Sequence, residues 1–481
     1  MSLASARALS AIPDAVLGEL GARLRAGGFA NALAEALKIG RGVAIELRRP
    51  IRLRRLRARD DSPARLLRLL CFGDALEEAE AAAALGASTL RALLDGELLA
   101  QVEGKVVARL VLTAADDILC FGDPFEAGSE AIMAIGVTTR ALAKVGRGRG
   151  RLALDLGCGG GALALALAPH FERVIATDLA PRAAVIARLN LALAQVDNVE
   201  VRIGDRFAPV AGERFELVVC QPPFLSALPD ASSKTLHGGT RGDELPRAIL
   251  AELPRHLADG GRAVVLTQWP VPPPIDVGSV IGDPSLGVFL LEAPPLSLDE
   301  QAAVYASAEV PVTDDGYPAR ARAHREQAHR LGLTAVIQTV VVLDRRFPGV
   351  VARVPLASGR VIDLSAERVE DAVQARVLLA GAGLSRARLR LSPGVRFASL
   401  VGARRAPPQW AAFAEKDPLV ERTFLNAATL DLLRAVASAK DVATAIAAVG
   451  PRHGVPAARG LELLGPVVAA ALEKGILRVD C

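Results

Sequence analysis

Cysteine is scarce in this 481-residue chain: Cys71, Cys120, Cys158, Cys220 and Cys481 stand far apart, odd in number and without a Cys-x-x-Cys pair. That spacing argues against a disulfide framework or a cysteine zinc site and fits a reducing cytoplasm. Lysine is rarer still for its class, with seven among 57 basic residues. Nearly all positive charge is therefore arginine, in a chain rich in alanine and leucine, a bias expected of a GC-rich coding sequence. Counting arginines consequently says little. The net charge of +4 creates no global field for nucleic acid or a membrane surface. No apolar run approaches the roughly 18 residues of a membrane span. The start, Met1-Ser2-Leu3-Ala4-Ser5-Ala6-Arg7, lacks the apolar core of a signal peptide. A soluble cytoplasmic protein without internal repeats or a long low-complexity linker is the expectation.

What is present is concentrated at Arg151-Leu152-Ala153-Leu154-Asp155-Leu156-Gly157-Cys158-Gly159-Gly160-Gly161. A buried strand ends on an acid, glycines follow at alternate positions, and an Ala/Leu-rich helix starts at once. Such a turn leaves helix N-terminal amides free, and glycine lets a ligand approach its backbone. The spacing is one residue tighter than the Gly-x-Gly-x-x-Gly of nicotinamide-binding domains, which disfavours a hydride-transfer enzyme.

Taken in order, residues 13–38 read as two helices broken at Gly27-Gly28. An arginine-dense stretch follows (Arg41, Arg48, Arg49, Arg52, Arg54, Arg55, Arg57, Arg59). Arg48 to Arg59 could contact nucleic-acid phosphates, but a solvated face of an arginine-biased protein explains them more simply. Short helices and a strand pair around Gly104 resemble a winged-helix module, a fold that does not decide function. Asp123-Pro124-Phe125 marks a loop. Strands then alternate with helices: strands at 152–155, 173–177, 199–203, 215–220, 262–267, 287–292 and 334–343, and helices including 162–168, 181–194, 244–257 and 318–331. Short strands around one helix occupy 350–396, and helices with a second winged-helix look end the chain.

Acids punctuate the strand ends. Asp178 closes the second strand, 21 residues after Gly157 (178 − 157), where a carboxylate can accept both hydroxyls of a ribose. Gly204-Asp205 closes the third, where an acid can take the exocyclic amine of an adenine. Singly these could be turn or capping residues; in this order they lie along one crevice. The fourth strand, Phe215 to Cys220, ends in Gln221-Pro222-Pro223-Phe224. Two prolines cannot extend a ladder. They fix a rigid turn that holds the Gln221 amide and the Pro222 carbonyl over the crevice, with an aromatic wall behind.

On these residues the chain resembles class I S-adenosylmethionine-dependent methyltransferases whose fourth strand ends Asn/Asp/Ser-Pro-Pro-Phe/Tyr. It is similar within them to the small methyltransferase domain proteins, which include release-factor glutamine and ribosomal-RNA guanine-N2 methyltransferases. The resemblance covers about residues 130 to 345. It rests on Leu154 to Gly161, Asp178, Gly204-Asp205-Arg206-Phe207 and Gln221 to Phe224, with similar segments at Ile135 to Thr139 and His237 to Leu245. It implies an α/β fold: a Rossmann-like seven-stranded domain at 126–347, between a helical, winged-helix-like domain at 1–125 and an α+β domain at 348–481. It implies S-adenosylmethionine held by Thr138, Asp155, Gly157, Cys158, Gly159, Gly161, Asp178, Leu179, Asp205, Arg206 and Gln221. Gln221, Pro222, Pro223 and Phe224 then position a planar nitrogen, the acceptor, of a protein, nucleic acid or small molecule. Gln221 departs from the usual Asn by one methylene, which moves the acceptor oxygen and adds a rotamer to fix.

His237 sits in a Gly-rich loop where a base could lie, although a loop-ordering histidine is the plainer reading. His170, His256, His324, His329 and His453 show no metal spacing, so no metal is expected. Cys158 and Cys220 border the crevice as packing residues, without a base to activate them. No KH or zinc-knuckle signature points to RNA. The competing readings are a non-catalytic cofactor sensor or partner-binding protein, and an O-methyltransferase of a small metabolite.

Overall fold

The computed structural model of the chain describes residues 3–39, 45–124, 130–230, 236–272, 280–357, 360–400 and 409–480. Phe125, Arg41 and Cys481, singled out in the sequence, lie outside them.

Helices Asp14–Ala26 and Phe29–Lys38 are separated by Gly27-Gly28, with Gly28 at φ +65°. Their apolar stripes bury Leu17, Leu20, Leu24, Phe29 and Leu33. Helix Ile45–Arg57 carries much of the arginine stretch. Arg49 donates to the Phe72 carbonyl, Arg52 to the carbonyls of Leu37 and Ile39, Arg57 to Asp74, and Arg59 to Asp61. These guanidiniums tie the N-terminal part together. A three-stranded antiparallel sheet follows (Leu76–Glu77, Lys105–Ala108, Leu99–Val102), then the hairpin β1 (Val111–Ala115) and β2 (Ile118–Gly122).

The central part begins with α1 (Val137–Val145), followed by β3 (Gly150–Leu156), α2 (Ala162–Leu167), β4 (Phe171–Asp178), α3 (Pro181–Ala194), β5 (Val199–Ile203) and β6 (Phe215–Cys220). A short parallel pair, β7 (Leu225–Ser226) and β8 (His237–Gly239), precedes α4 (Glu244–Glu252) and β9 (Leu257–Val271). Then come β10 (Gly287–Glu292), α5 (Leu298–Glu309), α6 (Tyr317–Arg330), β11 (Ala335–Asp344) and β12 (Val351–Pro355). Among the described residues the sheet has nine strands, in the order β12-β10-β11-β9-β6-β3-β4-β5, with a short strand Leu296–Ser297 on β11. The run from β5 to β9 is parallel, and β11 lies antiparallel between β9 and β10.

Seven of these strands are those expected from the sequence. The sheet nevertheless continues past residue 347, because β12 pairs in parallel with β10. The strand order reverses between β3 and β6, which leaves a crevice at their C-terminal ends.

Helix α3 explains how the N-terminal part is attached. It is apolar nearly all round, burying Ala183, Ile186, Ala187, Leu189 and Leu193, so it needs cover on two sides. One side packs on the sheet. The other joins Leu17, Leu20 and Leu24 in a continuous core. Beyond β12, helices Ala427–Ser438, Val442–Val449 and Gly460–Glu473 build a separate core around Leu433, Val436, Ile446 and Leu472.

Candidate functional site

The glycine turn starts where β3 ends. The amides of Gly157 and Cys158 both donate to the Thr177 carbonyl at 2.8 Å, and that of Gly161 donates to the Cys158 carbonyl. Gly157 and Gly159 sit at φ +75° and +50°, the left-handed region that a side chain disfavours. A Cβ on Gly157 would meet nothing within 4 Å, and one on Gly159 only Ile132. The turn therefore presents bare backbone to an open crevice. Gly161 instead backs onto Ala187 of α3, 3.2 Å from where its Cβ would stand.

Asp178 locks this turn to β4. Its Oδ2 accepts from the Gly159 amide at 2.8 Å and its Oδ1 from the Ala180 amide at 2.9 Å. A carboxylate has about four acceptor positions, so capacity remains for ribose hydroxyls. Asp155 is fully buried. Its Oδ2 accepts from Ala164 at 2.8 Å, while Oδ1 has no partner among the described residues. Burial pushes its carboxyl up to about 7, against the Ala164 hydrogen bond and with help from the nearby Asp178 charge. An unpartnered acid beside an open turn suits a cationic ligand.

Beyond Asp178, Leu179 and Ile203 expose 56% and 48% of their surface at the ends of β4 and β5, apolar lips for a flat ring. Asp205 is exposed, and Arg206, at φ +44°, leans on Asp205 and on Glu252. The bare turn, the orphaned Asp155 oxygen, the free capacity of Asp178 and these lips together fit S-adenosylmethionine.

Across the switch point, Gln221 follows β6 with Pro222 buried and Phe224 half-buried. The Gln221 Nε2 donates to Thr138 Oγ1 at 2.8 Å, and Thr139 Oγ1 lies 3.4 Å from Oε1. Both threonines are in the first turn of α1. The extra methylene of glutamine is thus held by two hydroxyls, and Thr138 reaches Gln221 from its side. Cys158 and Cys220 are buried, and burial pushes both thiols up, consistent with packing.

His237 requires a correction. The sequence places it in a flexible Gly-rich loop, yet it lies in β8 with its side chain 7% exposed and Nε2 2.9 Å from Glu309 Oε1. Glu309, at the end of α5, also takes His324 at 3.1 Å and Arg320, both from α6. Arg320 in turn holds Asp230 at 2.8 Å. Asp230 and His237 are therefore both tied to the α5–α6 pair. β8 also packs on the proline turn: a Cβ on Gly238 would stand 2.5 Å from the Pro223 carbonyl.

Glu309 was not foreseen, nor was Asn190 on α3, and Thr139 stood in the Ile135 to Thr139 segment without a role of its own. Asn190 had a legible signal, a lone amide inside an apolar helix, whereas Glu309 acquires its partners only through tertiary packing. Among the described residues, no group of three or more His, Cys, Asp or Glu could hold a metal, and no helix is long and apolar enough to cross a membrane.

Residues 133–272 match the family model of the methyltransferase small domain. The ribosomal protein uL3 glutamine methyltransferase of Xanthomonas campestris is 34% identical over 102 residues, covering 19% of this chain and 33% of that protein. The release factor glutamine methyltransferase of Pseudomonas aeruginosa is 37% identical over 97 residues, 18% of this chain and 35% of that protein. The chain thus spans about a third of the length of these curated relatives. Among solved structures, a ribosomal protein L11 methylase from Lactobacillus delbrueckii aligns over 28% of this chain and 63% of its own, with 19% identity and a TM-score of 0.23. The methyl donor of such a domain is S-adenosylmethionine. Over residues 133–272 the chain is thus similar to the methyltransferase small domain.

Proposed function

We propose that the protein transfers the methyl group of S-adenosylmethionine to a planar amide nitrogen, the side chain of a glutamine in a protein substrate. The observation that carries this reading is the Gln221-Pro222-Pro223-Phe224 turn, which ends the strand next to β3 and so stands beside the open glycine turn. The named activities of the relatives, glutamine methylation of a ribosomal protein and of release factors, support the same acceptor class.

S-adenosylmethionine supplies a methyl group already activated on a sulfonium. Positioning can therefore account for much of the rate. Asp178 would hold the ribose and Asp155 the cationic end. Gln221 Oε1 and the Pro222 carbonyl accept hydrogen bonds from the amide nitrogen, turning its lone pair towards the donor. Carbonyl oxygens in that place also stabilise the positive charge that develops on nitrogen. Thr138 and Thr139 fix the longer glutamine arm, and Phe224 provides an apolar wall. Arg49, Arg52, Arg57 and Arg59 of the arginine stretch already hold partners within the N-terminal part, which weakens its reading as an RNA contact.

The test is incubation with methyl-labelled S-adenosylmethionine of cell extract, and separately of purified release factor and ribosomal protein uL3. Label in a protein band, recovered as methylglutamine after digestion, is the expected result. Label in RNA or small molecules alone would overturn the acceptor class. Gln221→Ala should lower turnover about 10²-fold or more and leave affinity for S-adenosylhomocysteine within about twofold; unchanged turnover would remove Gln221 from the mechanism. The engaged amide of Gln221 also favours a second reading, a non-catalytic cofactor sensor. Tight S-adenosylhomocysteine binding with no labelled product in any fraction would select it.

A further inference from the structure

The β1–β2 hairpin belongs to the N-terminal part, yet it closes on the back of the glycine turn. Asn190 of α3 is fully buried and makes three hydrogen bonds there. Its Oδ1 accepts from the Phe121 amide at 2.7 Å. Its Nδ2 donates to the Phe121 carbonyl and to the Gly160 carbonyl, both at 2.9 Å. One amide side chain therefore pairs with the end of β2 as a neighbouring strand would, and holds the middle of the glycine turn at the same time. The fit is close: a Cβ on Gly160 would lie 3.4 Å from both Asn190 Nδ2 and the Phe121 carbonyl.

Two residues further on, the hairpin grips the crevice again. Asp123, with its side chain 1% exposed, accepts from the Ile132 amide at 2.8 Å and takes Arg182 through Nε at 2.8 Å and Nη2 at 2.5 Å. Arg182 lies in the first turn of α3, four residues past Asp178, and also donates to the Ala4 carbonyl at 2.7 Å. Ile132 is the side chain that faces Gly159. The hairpin thus touches the turn at Gly160, while Asp123 just after it holds Ile132 against Gly159 and Arg182 of the helix that follows the ribose acid.

We propose that the N-terminal part forms the rear wall of the cofactor site, with Asn190 a positioning residue that sets the glycine turn through Phe121. Docking of the N-terminal part and occupancy of the cofactor crevice are then thermodynamically linked. By reciprocity, a protein substrate that engages the N-terminal part changes cofactor affinity by the same factor as the cofactor changes affinity for that substrate. This rests on the reading of the crevice as an S-adenosylmethionine site.

The experiment is calorimetric titration of the full chain with S-adenosylhomocysteine, together with hydrogen exchange at the Phe121 amide. Asn190→Asp keeps the shape but turns the Nδ2 donor into an acceptor facing two carbonyls. Asp123→Asn is the milder variant should the first fail to fold. Leu90→Ala, a truncation elsewhere in the N-terminal core, is the stability control. Asn190→Asp and Asp123→Asn are expected to weaken binding about tenfold or more, the loss of roughly one hydrogen bond's net worth. Leu90→Ala should lower the melting temperature and keep wild-type affinity. Added S-adenosylhomocysteine should slow Phe121 exchange in wild type and not in Asn190→Asp. Wild-type affinity in both crevice variants, or equal weakening in Leu90→Ala, would overturn the linkage. Absence of binding by the wild-type chain would instead overturn the cofactor site itself, and the inference with it.

Discussion

Asp155 shows how one side chain can do two jobs at different cost. Its Oδ2 caps the start of α2 through Ala164, which argues for a carboxylate, while its burial and unpartnered Oδ1 argue for the neutral acid. Burial wins, and the group titrates at about 7 rather than near 3.8. An acid raised in the folded state binds its proton more tightly there than when unfolded. Folding stability therefore falls as pH rises from the ordinary carboxylate value to about 7, and levels off above it. Cofactor binding has the opposite sign, because a cationic ligand favours the ionised form. S-adenosylhomocysteine, which keeps the ammonium group, should bind more tightly as pH rises towards 7 and release a proton below it. Titration in buffers of different ionisation enthalpy measures that proton directly, and Asp155→Asn should abolish it. A proton count of zero at pH 6 in the wild type would show that no cation approaches this acid.

At the scale of elements, the strap of residues 236–243 joins the proline turn to the α5–α6 pair. Its contacts are legible only in part. The alternating βα rhythm, the glycine spacing and the double proline announce the parallel sheet and crevice, because each follows from local pattern. β12 escaped, since a five-residue strand at a sheet edge has little periodicity of its own and is chosen by its neighbour β10. The order of the strap escaped for a similar reason: Gly238 and Gly242 look like flexibility in sequence but serve close packing on Pro223 and Phe224. Adding a methyl at Gly238 forces the Pro223 carbonyl to move. Gly238→Ala should therefore reduce turnover while S-adenosylhomocysteine affinity stays near wild type. Glu309→Ala releases the same strap from its far end. Burial raises the Glu309 carboxyl, but hydrogen bonds from His237, His324 and Arg320 outweigh it and leave it depressed. Its stabilising contribution is thus present above the ordinary carboxylate range and lost as pH falls through the lowered folded value. Breaking a buried pair of this kind costs about 3 kcal/mol, to be read from denaturant midpoints at neutral pH. Faster amide exchange at Leu225 and Ala227, which bond to Leu236 and Gly239, would locate the loss in the strap. Unchanged exchange there would separate Glu309 from the turn.

For the whole molecule, the distribution of cores decides what melts together. The N-terminal leucines share one cluster with Ala183, Ile186, Leu189 and Leu193 of α3, so unfolding either the N-terminal or the central part strips cover from the other. Residues Val361, Leu364, Val369 and Val373, beyond β12, belong to the core on one face of the sheet. The last helices instead fill their own cluster around Leu433, Val436, Ile446 and Leu472. Neighbouring Ala372 and Ala375 of helix Ala366–Ala380 belong to the sheet core and the terminal core respectively. Scanning calorimetry of the full chain should therefore resolve two transitions: one for the N-terminal and central parts together, one for the terminal helices. A ligand held only by the crevice raises the first alone. At 100 times its dissociation constant it stabilises that unit by about 2.7 kcal/mol, a shift of a few degrees for a unit of this size. Raising both transitions equally with S-adenosylhomocysteine would mean that the terminal helices are coupled to the crevice through helix Ala366–Ala380. A third transition, unmoved by ligand and lost when residues 1–110 are deleted, would mean that the N-terminal part melts independently, against the shared core at α3.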